Sequence, residues 1–330
     1  MFIYILLLII AVFFLLFDNN KKNSRLPIVF IAILAFVAAF RYDVGQDYMS
    51  YCDIFNGYKS GRSGVGFQAL CDICKYVGGT SQLMFLVMSV STLTLFYLSM
   101  KKSSTDLMLS LFVFFCFGQM YLNTFNTIRQ CLAAALFMFS ISFLLKRKLL
   151  YFVILLLFAS TFHISALALI PLYWVLDREL SYKFVLAMGA VVYFVGNFNP
   201  LLLIVQVEEY QIYQNFEEIE ISYIDYLYLL MSVFIFVFRK KLFQHHPYKT
   251  VFHNINILFG FFTLAFIISN GADGALLLNR IRYYFVFFYA VIIQLILSEI
   301  KNKDLYMASR FSMAFILSVL FTFRHLSSSC

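Results

Sequence analysis

Of 330 residues, 62% are hydrophobic, 20% aromatic and only 13% charged, and the mean hydropathy is +0.85. Soluble domains carry about 25% charged residues, so a water-soluble globular chain is excluded. The net charge of +8 is scattered in twos and threes between apolar runs, which reports membrane topology and argues against a nucleic-acid partner.

Apolar segments follow one another near 2–17, 26–40, 82–100, 106–122, 128–145, 149–162, 164–176, 183–197, 222–238, 251–269, 281–298 and 306–323. Lipid offers no hydrogen-bond partner to a backbone, so these segments are expected to be helices. The fold class expected is all-α: a polytopic helical bundle with ten to twelve true spans, forming one transmembrane domain over 1–330. Several segments are shorter than the roughly 20 residues that cross a hydrocarbon core and must borrow interfacial residues or stop short. The first run, Phe2–Phe17, lacks a basic stretch before it and a small-residue cleavage site after it, so it reads as a retained span.

Basic clusters alternate with the spans. Lys21, Lys22 and Arg25, then Lys101 and Lys102, then Lys146 to Lys148 fall on one side by the positive-inside rule. Arg178 with Lys183, Arg239 to Lys241 with Lys249, and Lys301 with Lys303 fall there too. The other face then receives loop 41–81, a turn near 123–127, the acidic loop 198–221 and loop 270–280. Leu149–Leu176 is read as two short crossings because one long helix would put Arg239 to Lys241 outside; a re-entrant hairpin serves equally well. The cytoplasmic loops so assigned hold twelve Lys and four Arg, whereas the outer side holds six Arg and two Lys. Arginine's planar fork suits bidentate capture of phosphate or carboxylate, so the outer rim is expected to hold an anion.

Four candidate sites lie at that rim. Arg41, Asp43, Asp47, Tyr48 and Tyr51 follow the second segment. If helical over 43–51, Asp47 and Tyr51 share a face; an aromatic belt closed by an Arg–Asp pair is the competing reading. Asn126, Arg129 and Gln130 open the fifth segment, where free backbone N–H groups and a partial positive charge favour a phosphate. The alternative there is an N-cap at Thr124 or Asn126 with Arg129 snorkelling to headgroups. His163 lies in Ser160-Thr-Phe-His-Ile-Ser165, between two apolar segments. It suits a general base, although such a residue also serves as hydrogen-bonded packing. Arg280 and Arg282, two residues apart on a helix, diverge by about 200°, so one of them is expected to face inward. Cys71-x-x-Cys74 has no second pair to complete a zinc site, and no metal or cofactor is expected.

Arg41-Tyr-Asp-Val-Gly-Gln-Asp-Tyr48 with Tyr51, Asn126-x-x-Arg129-Gln130 with Ala133 and Ala134, Phe162-His163-x-Ser165, Pro171, and Arg280, Arg282 and Tyr283 occur in one order. Together they resemble the EpsG/Wzy family of bacterial surface-polysaccharide polymerases, with Gln46 where Thr is usual. The resemblance implies a GT-C-like bundle in the cytoplasmic (inner) membrane with an outward active site. It also implies a metal-independent glycosyltransferase that moves a growing glycan from undecaprenyl diphosphate onto a lipid-linked repeat unit, in O-antigen, capsule or exopolysaccharide synthesis. A chain-length regulator and a flippase are the membrane partners implied.

On that scheme Arg41, Arg129, Arg280 and Arg282 bind diphosphate, and His163, Asp43 or Asp47 accepts the acceptor's proton. Tyr48, Tyr51, Asn126, Gln130 and Tyr283 contact substrate. Three other readings remain open. A flippase or transporter needs midplane charge; a membrane O-acyltransferase needs a cytoplasmic acyl donor; a glycan ligase would carry a longer outer loop.

Overall fold

The structure, a computed structural model, describes residues 2–18, 25–58, 64–118, 120–181, 183–184, 187, 190, 221–269 and 275–327. Every regular element among them is helical. In chain order these are α1 (Phe2–Phe17), α2 (Leu26–Ala39), α3 (Tyr48–Asn56), α4 (Val65–Tyr76), α5 (Ser81–Ser103), α6 (Leu107–Cys116) and α7 (Met120–Asn126). Next come α8 (Ile128–Leu145), α9 (Leu149–Phe162) and a 3-10 helix (Ile164–Trp174). The last five are α10 (Tyr223–Phe238), α11 (Lys249–Ile268), α12 (Ala275–Val286), α13 (Tyr289–Ser298) and α14 (Lys303–Ser327).

Four helices are long and apolar enough to cross a membrane alone: Ser81–Ser103, Ile128–Leu145, Lys249–Ile268 and Lys303–Phe323. Two bent pairs, α6 with α7 and the Leu278–Val286 part of α12 with α13, raise the number to six if each pair is one span. Five further apolar helices are shorter. The all-α, polytopic expectation therefore holds. The run Leu149–Leu176 breaks at His163 into α9 and the 3-10 helix, both too short to cross alone. Loop 41–81 carries helices α3 and α4, which its polar composition concealed. The segment expected at 183–197 and the acidic loop 198–221 lie almost wholly outside the described residues.

The chain divides into two compact units, one of Met1–Ile170 with Phe287–Cys330 and one of Pro171–Val286. In the first, α8 packs against α5 and α9, α2 against α5, and α6 against α1, α13 and α14. Ala133, Ala134 and Ala135 are fully buried on α8; small side chains let helix backbones approach where lipid supplies no hydrophobic driving force. Opposite faces stay apolar and exposed, as at Leu150, Ile154 and Leu157 on α9 and Phe315, Ile316 and Val319 on α14. Faces of that kind suit hydrocarbon and would aggregate in water. In the second unit α11 packs against both α10 and α12.

One buried cation ties α14 to the ends of two other helices of the first unit. Arg310 of α14, 1% exposed, donates through Nε to Asp106 Oδ2 at 2.8 Å and through Nη1 to the Leu15 carbonyl at 2.8 Å. Its Nη2 reaches the Asp18 carbonyl at 3.2 Å. Asp106 caps α6 by accepting the Leu109 N–H, and the Tyr306 hydroxyl donates to it at 2.8 Å. Removing one member of a buried pair strands the other charge and costs on the order of 3–5 kcal/mol. Arg310→Ala is therefore expected to lower the melting temperature of the detergent-solubilised protein sharply. The double variant Asp106→Asn with Arg310→Met should recover part of that loss. An unchanged melting curve for Arg310→Ala would remove the clasp from the account.

Candidate active site

Two stretches far apart in sequence, 41–47 and 123–130, form one substructure. The Arg41 guanidinium donates to the Ala38 carbonyl at 3.3 Å, to Thr124 at 3.4 Å and to Phe125 at 3.0 Å. It also lies over the Phe85 and Phe125 rings, 4.7 and 5.0 Å from their centroids. Only 5% of Arg41 is exposed. Burial brings it down to about 10, with the phenols of Tyr51, Tyr121, Tyr48 and Tyr4 opposing, so it remains charged at neutral pH. An orphan carbonyl at the end of an apolar helix needs a donor, and Arg41 supplies it for the ends of both α2 and α7. The expectation that Arg41 faces a diphosphate meets a fork already occupied by backbone.

Gly45 and Gln46 complete the clasp. The Gln46 N–H donates to Asn126 Oδ1 at 2.8 Å. Gly45 has φ +104°, and a Cβ there would come within 2.8 Å of the same oxygen and 2.9 Å of the Phe125 carbonyl. Only glycine meets both conditions. Asn126, expected to touch substrate, thus holds the loop.

The chain turns at Asp43, φ +48°, and helix begins only at Tyr48. Asp43 is exposed and shares no helical face with Asp47, contrary to the conditional reading of 43–51 as helix. Asp47 sits at the N-cap position of α3, and its carbonyl accepts the Tyr51 N–H at 3.0 Å, so those two residues do stack one turn apart. Tyr48 and Tyr51 are buried. Tyr48 stacks on Phe85 of α5 at 4.8 Å, and Tyr51 meets Phe67 of α4 edge-on at 5.7 Å.

Arg129 stands in the first turn of α8, as the sequence reading placed it. The N-cap is Thr127 rather than Thr124 or Asn126, and its side chain makes no capping bond. Its hydroxyl donates instead to the Asn123 carbonyl at 3.3 Å. The Arg129 guanidinium lies over the Tyr51 and Phe67 rings, 5.9 and 5.6 Å from their centroids, and donates to the Tyr51 oxygen. Burial raises the Tyr51 phenol while Arg129 pulls it down and Asp47 pushes it up. Gln130 is buried in the same turn.

His163 ends α9, its N–H bonded to the Ala159 carbonyl at 3.0 Å and its own carbonyl accepting the Ala166 N–H. The start of α4 presses against this end. A Cβ on Gly64 would overlap the Thr161 carbonyl, and one on Gly66 would overlap Thr161 Oγ1 and come within 3.1 Å of the Phe162 ring. Helices α3 and α4 thus meet Arg129 through Tyr51 and Phe67, and α4 meets the His163 end of α9 through Gly64 and Gly66. Sequence reasoning missed Phe67, Gly64 and Gly66, because the contacts that give them meaning come from α8 and α9.

In the second unit, Arg282 pairs with Asp225 at 2.6 Å, donates to Asn279 Oδ1 at 2.7 Å and lies 4.1 Å over the Phe266 ring. Asp225 also accepts the Ser222 N–H in a capping box at the start of α10. Arg280 and Tyr283 are half-buried on the same helix. The two arginines do diverge, and the inward one is Arg282, held by a carboxylate.

Cys71 and Cys74 are free thiols on the buried side of α4, and burial first, with Cys74 beside it, pushes Cys71 up to about 11. A thiol so raised stays protonated and is a poor nucleophile or metal ligand at neutral pH. Among the described residues no three His, Cys, Asp or Glu side chains gather as a metal site.

An all-helical bundle of apolar helices, with a guanidinium and a carboxylate beside one helix N-terminus, defines an integral membrane protein with a polar site at its helix ends. The chain belongs to the EpsG family, whose model matches residues 24–330. Its role is accordingly of polysaccharide-polymerase type, with glycosyltransferase-like chemistry. No curated protein and no solved structure matches it.

Replacing Arg41 tests the clasp. Arg41→Ala leaves buried carbonyls without donors, at roughly 1–3 kcal/mol each, and should lower the melting temperature and open 41–47 to protease. Arg41→Lys, with one ammonium for several acceptors, should fall between. Wild-type melting and protease resistance in Arg41→Ala would show that the clasp does not hold this region.

Proposed function

We propose that this protein is a polymerase that transfers a growing glycan from undecaprenyl diphosphate onto a lipid-linked repeat unit, at the outer face of the bacterial cytoplasmic membrane. The observation that carries the reading is Arg129: a guanidinium braced by Tyr51 and Phe67 in the first turn of α8, where the helix dipole adds positive charge. In the reaction an acceptor hydroxyl oxygen bonds to the anomeric carbon. The bond from that carbon to the phosphate oxygen breaks, and the diphosphate leaves with the electron pair. Preorganised positive charge at the departing oxygen is the largest help such a step can receive. Arg129 supplies it without requiring a metal ion.

The acceptor's proton goes to His163, at the end of α9 that meets α4, or to Asp47, at the N-cap of α3. Asp43, exposed on its turn, is the weaker of the two carboxylates for this role. Arg41 positions the turn that precedes Arg129 instead of touching phosphate. In the second unit Arg280 or Arg282 is the further diphosphate ligand, and Arg282 already gives Nε to Asn279 and Nη2 to Asp225. The outward orientation rests on the excess of basic residues in the opposite loops.

Deletion of the gene should leave surface glycan as single repeat units, whereas loss of a flippase would hold them inside the cell and loss of a ligase would leave long polymer unattached. In the complemented deletion, His163→Ala should slow polymerisation by about 10²–10⁴-fold while lipid binding persists. Arg129→Ala should weaken both binding and turnover. Full-length polymer in both variants would overturn these assignments.

A further inference from the structure

We propose that the first turn of α4 is a splint that sets the separation between the Arg129 guanidinium and the His163 imidazole, with Phe67 and Gly66 as positioning residues of the reaction. The inference rests on the reading of Arg129 and His163 given above and names residues which that reading does not use.

The geometry is local and continuous. Phe67 is fully buried, and its ring, the Tyr51 ring and the Arg129 guanidinium form a triangle with sides of 5.6–5.9 Å. One residue earlier, Gly66 lies flat against Thr161 and the Phe162 ring, and Gly64 lies against the Thr161 carbonyl. Thr161 is two residues from His163, and its hydroxyl is turned back to the Phe158 carbonyl at 2.7 Å, which fixes the surface that α4 meets. The Gly64 carbonyl accepts the N–H groups of Phe67 and Gln68 at 2.9 and 3.1 Å, so the glycine edge and the phenylalanine edge belong to one hydrogen-bonded turn. Nothing longer than that turn separates the support of the cation from the end of the helix that bears the imidazole.

The leaving group and the attacking hydroxyl lie on opposite sides of the anomeric carbon. The group that receives the diphosphate and the group that takes the proton must therefore be held at a set distance. A misplacement of about 1 Å by a change away from the chemistry can cost on the order of 10²-fold in rate. A methyl at Gly66 would have to move α4 or the end of α9 by that order. Loss of the Phe67 ring would remove one of the two aromatic faces under the Arg129 guanidinium.

The test uses the full chain in detergent or nanodiscs, with lipid-linked oligosaccharide extracted from the producing cells after deletion of this gene. Phe67→Leu keeps apolar volume and should retain the wild-type melting temperature, lose roughly 10- to 100-fold in kcat, and change KM little. In a His163→Ala background the same substitution should cost almost nothing more, because the separation no longer matters. Gly66→Ala should lower kcat likewise, and Thr161→Gly should restore it by clearing the space.

Multiplying losses for Phe67→Leu and His163→Ala would overturn the splint, as would a wild-type kcat in Phe67→Leu or failure of Thr161→Gly to rescue. Full activity in His163→Ala would instead overturn the proton-acceptor assignment, and the splint would then be decided by Gly66→Ala and its rescue.

Discussion

Helix ends in an apolar surround are the constraint on which this structure turns. Each α-helix leaves its last carbonyls without partners, and hydrocarbon cannot replace the water that would satisfy them. The first unit answers with arginines buried against carbonyls. Arg310 serves the end of α1 and Arg41 the ends of α2 and α7. Helix α2, about 21 Å long at 1.5 Å per residue over its 14 residues, is tied at its finish to α7 by Arg41. Tyr121, donating to the Leu34 carbonyl at 2.8 Å, pins the middle.

That constraint explains why the residues of the rim are arranged as they are. Because Arg41 grips Thr124 and Phe125, the turn between α7 and α8 is held against loop 41–47, and α8 must begin where Arg129 enters its first turn. Because Gly45 lies against Asn126, α3 starts three residues later with Asp47 at its cap and Tyr51 one turn on. The partial negative end of α7, neutralised by Arg41, adjoins the partial positive end of α8. An anion approaching Arg129 therefore meets a field less opposed by the carbonyls of α7 than the chain path alone implies.

The membrane class, the all-helical fold and the family were legible in the sequence, since each rests on composition or on short ordered motifs. Arg129 in a first helical turn and a break in Leu149–Leu176 near His163 were legible too: the polar run 123–130 and the Ser160–Ser165 cluster interrupt otherwise continuous apolar stretches. Helices α3 and α4 were not, because a solvated loop and a short helix packed by one face share the same polar composition. The partners of Arg41, Arg282 and Arg310 were equally hidden. Backbone carbonyls carry no sequence signal, and Asp225 and Asp106 are 57 and 204 positions from the arginines they meet.

The arginine bias of one side of the chain also takes on a sharper meaning. It was read as equipment for an anion, on the ground that a planar fork with five donors suits phosphate. The same fork suits a pair of helix-end carbonyls or a buried carboxylate, and in the interior of a helical membrane protein those acceptors are always at hand. Arg41 and Arg282 are held in those ways, each with one tenth or less of its surface exposed. Side-of-membrane counting cannot separate the two uses, because both favour arginine over lysine for the same stereochemical reason. What separates them is the partner. Carbonyl oxygens take Nη1 and Nη2 of Arg41, and Asn279 and Asp225 take Nε and Nη2 of Arg282. Arg129 lies over two aromatic rings and donates to the Tyr51 oxygen, so the role of each arginine follows from its contacts in the fold and not from the side of the membrane it occupies.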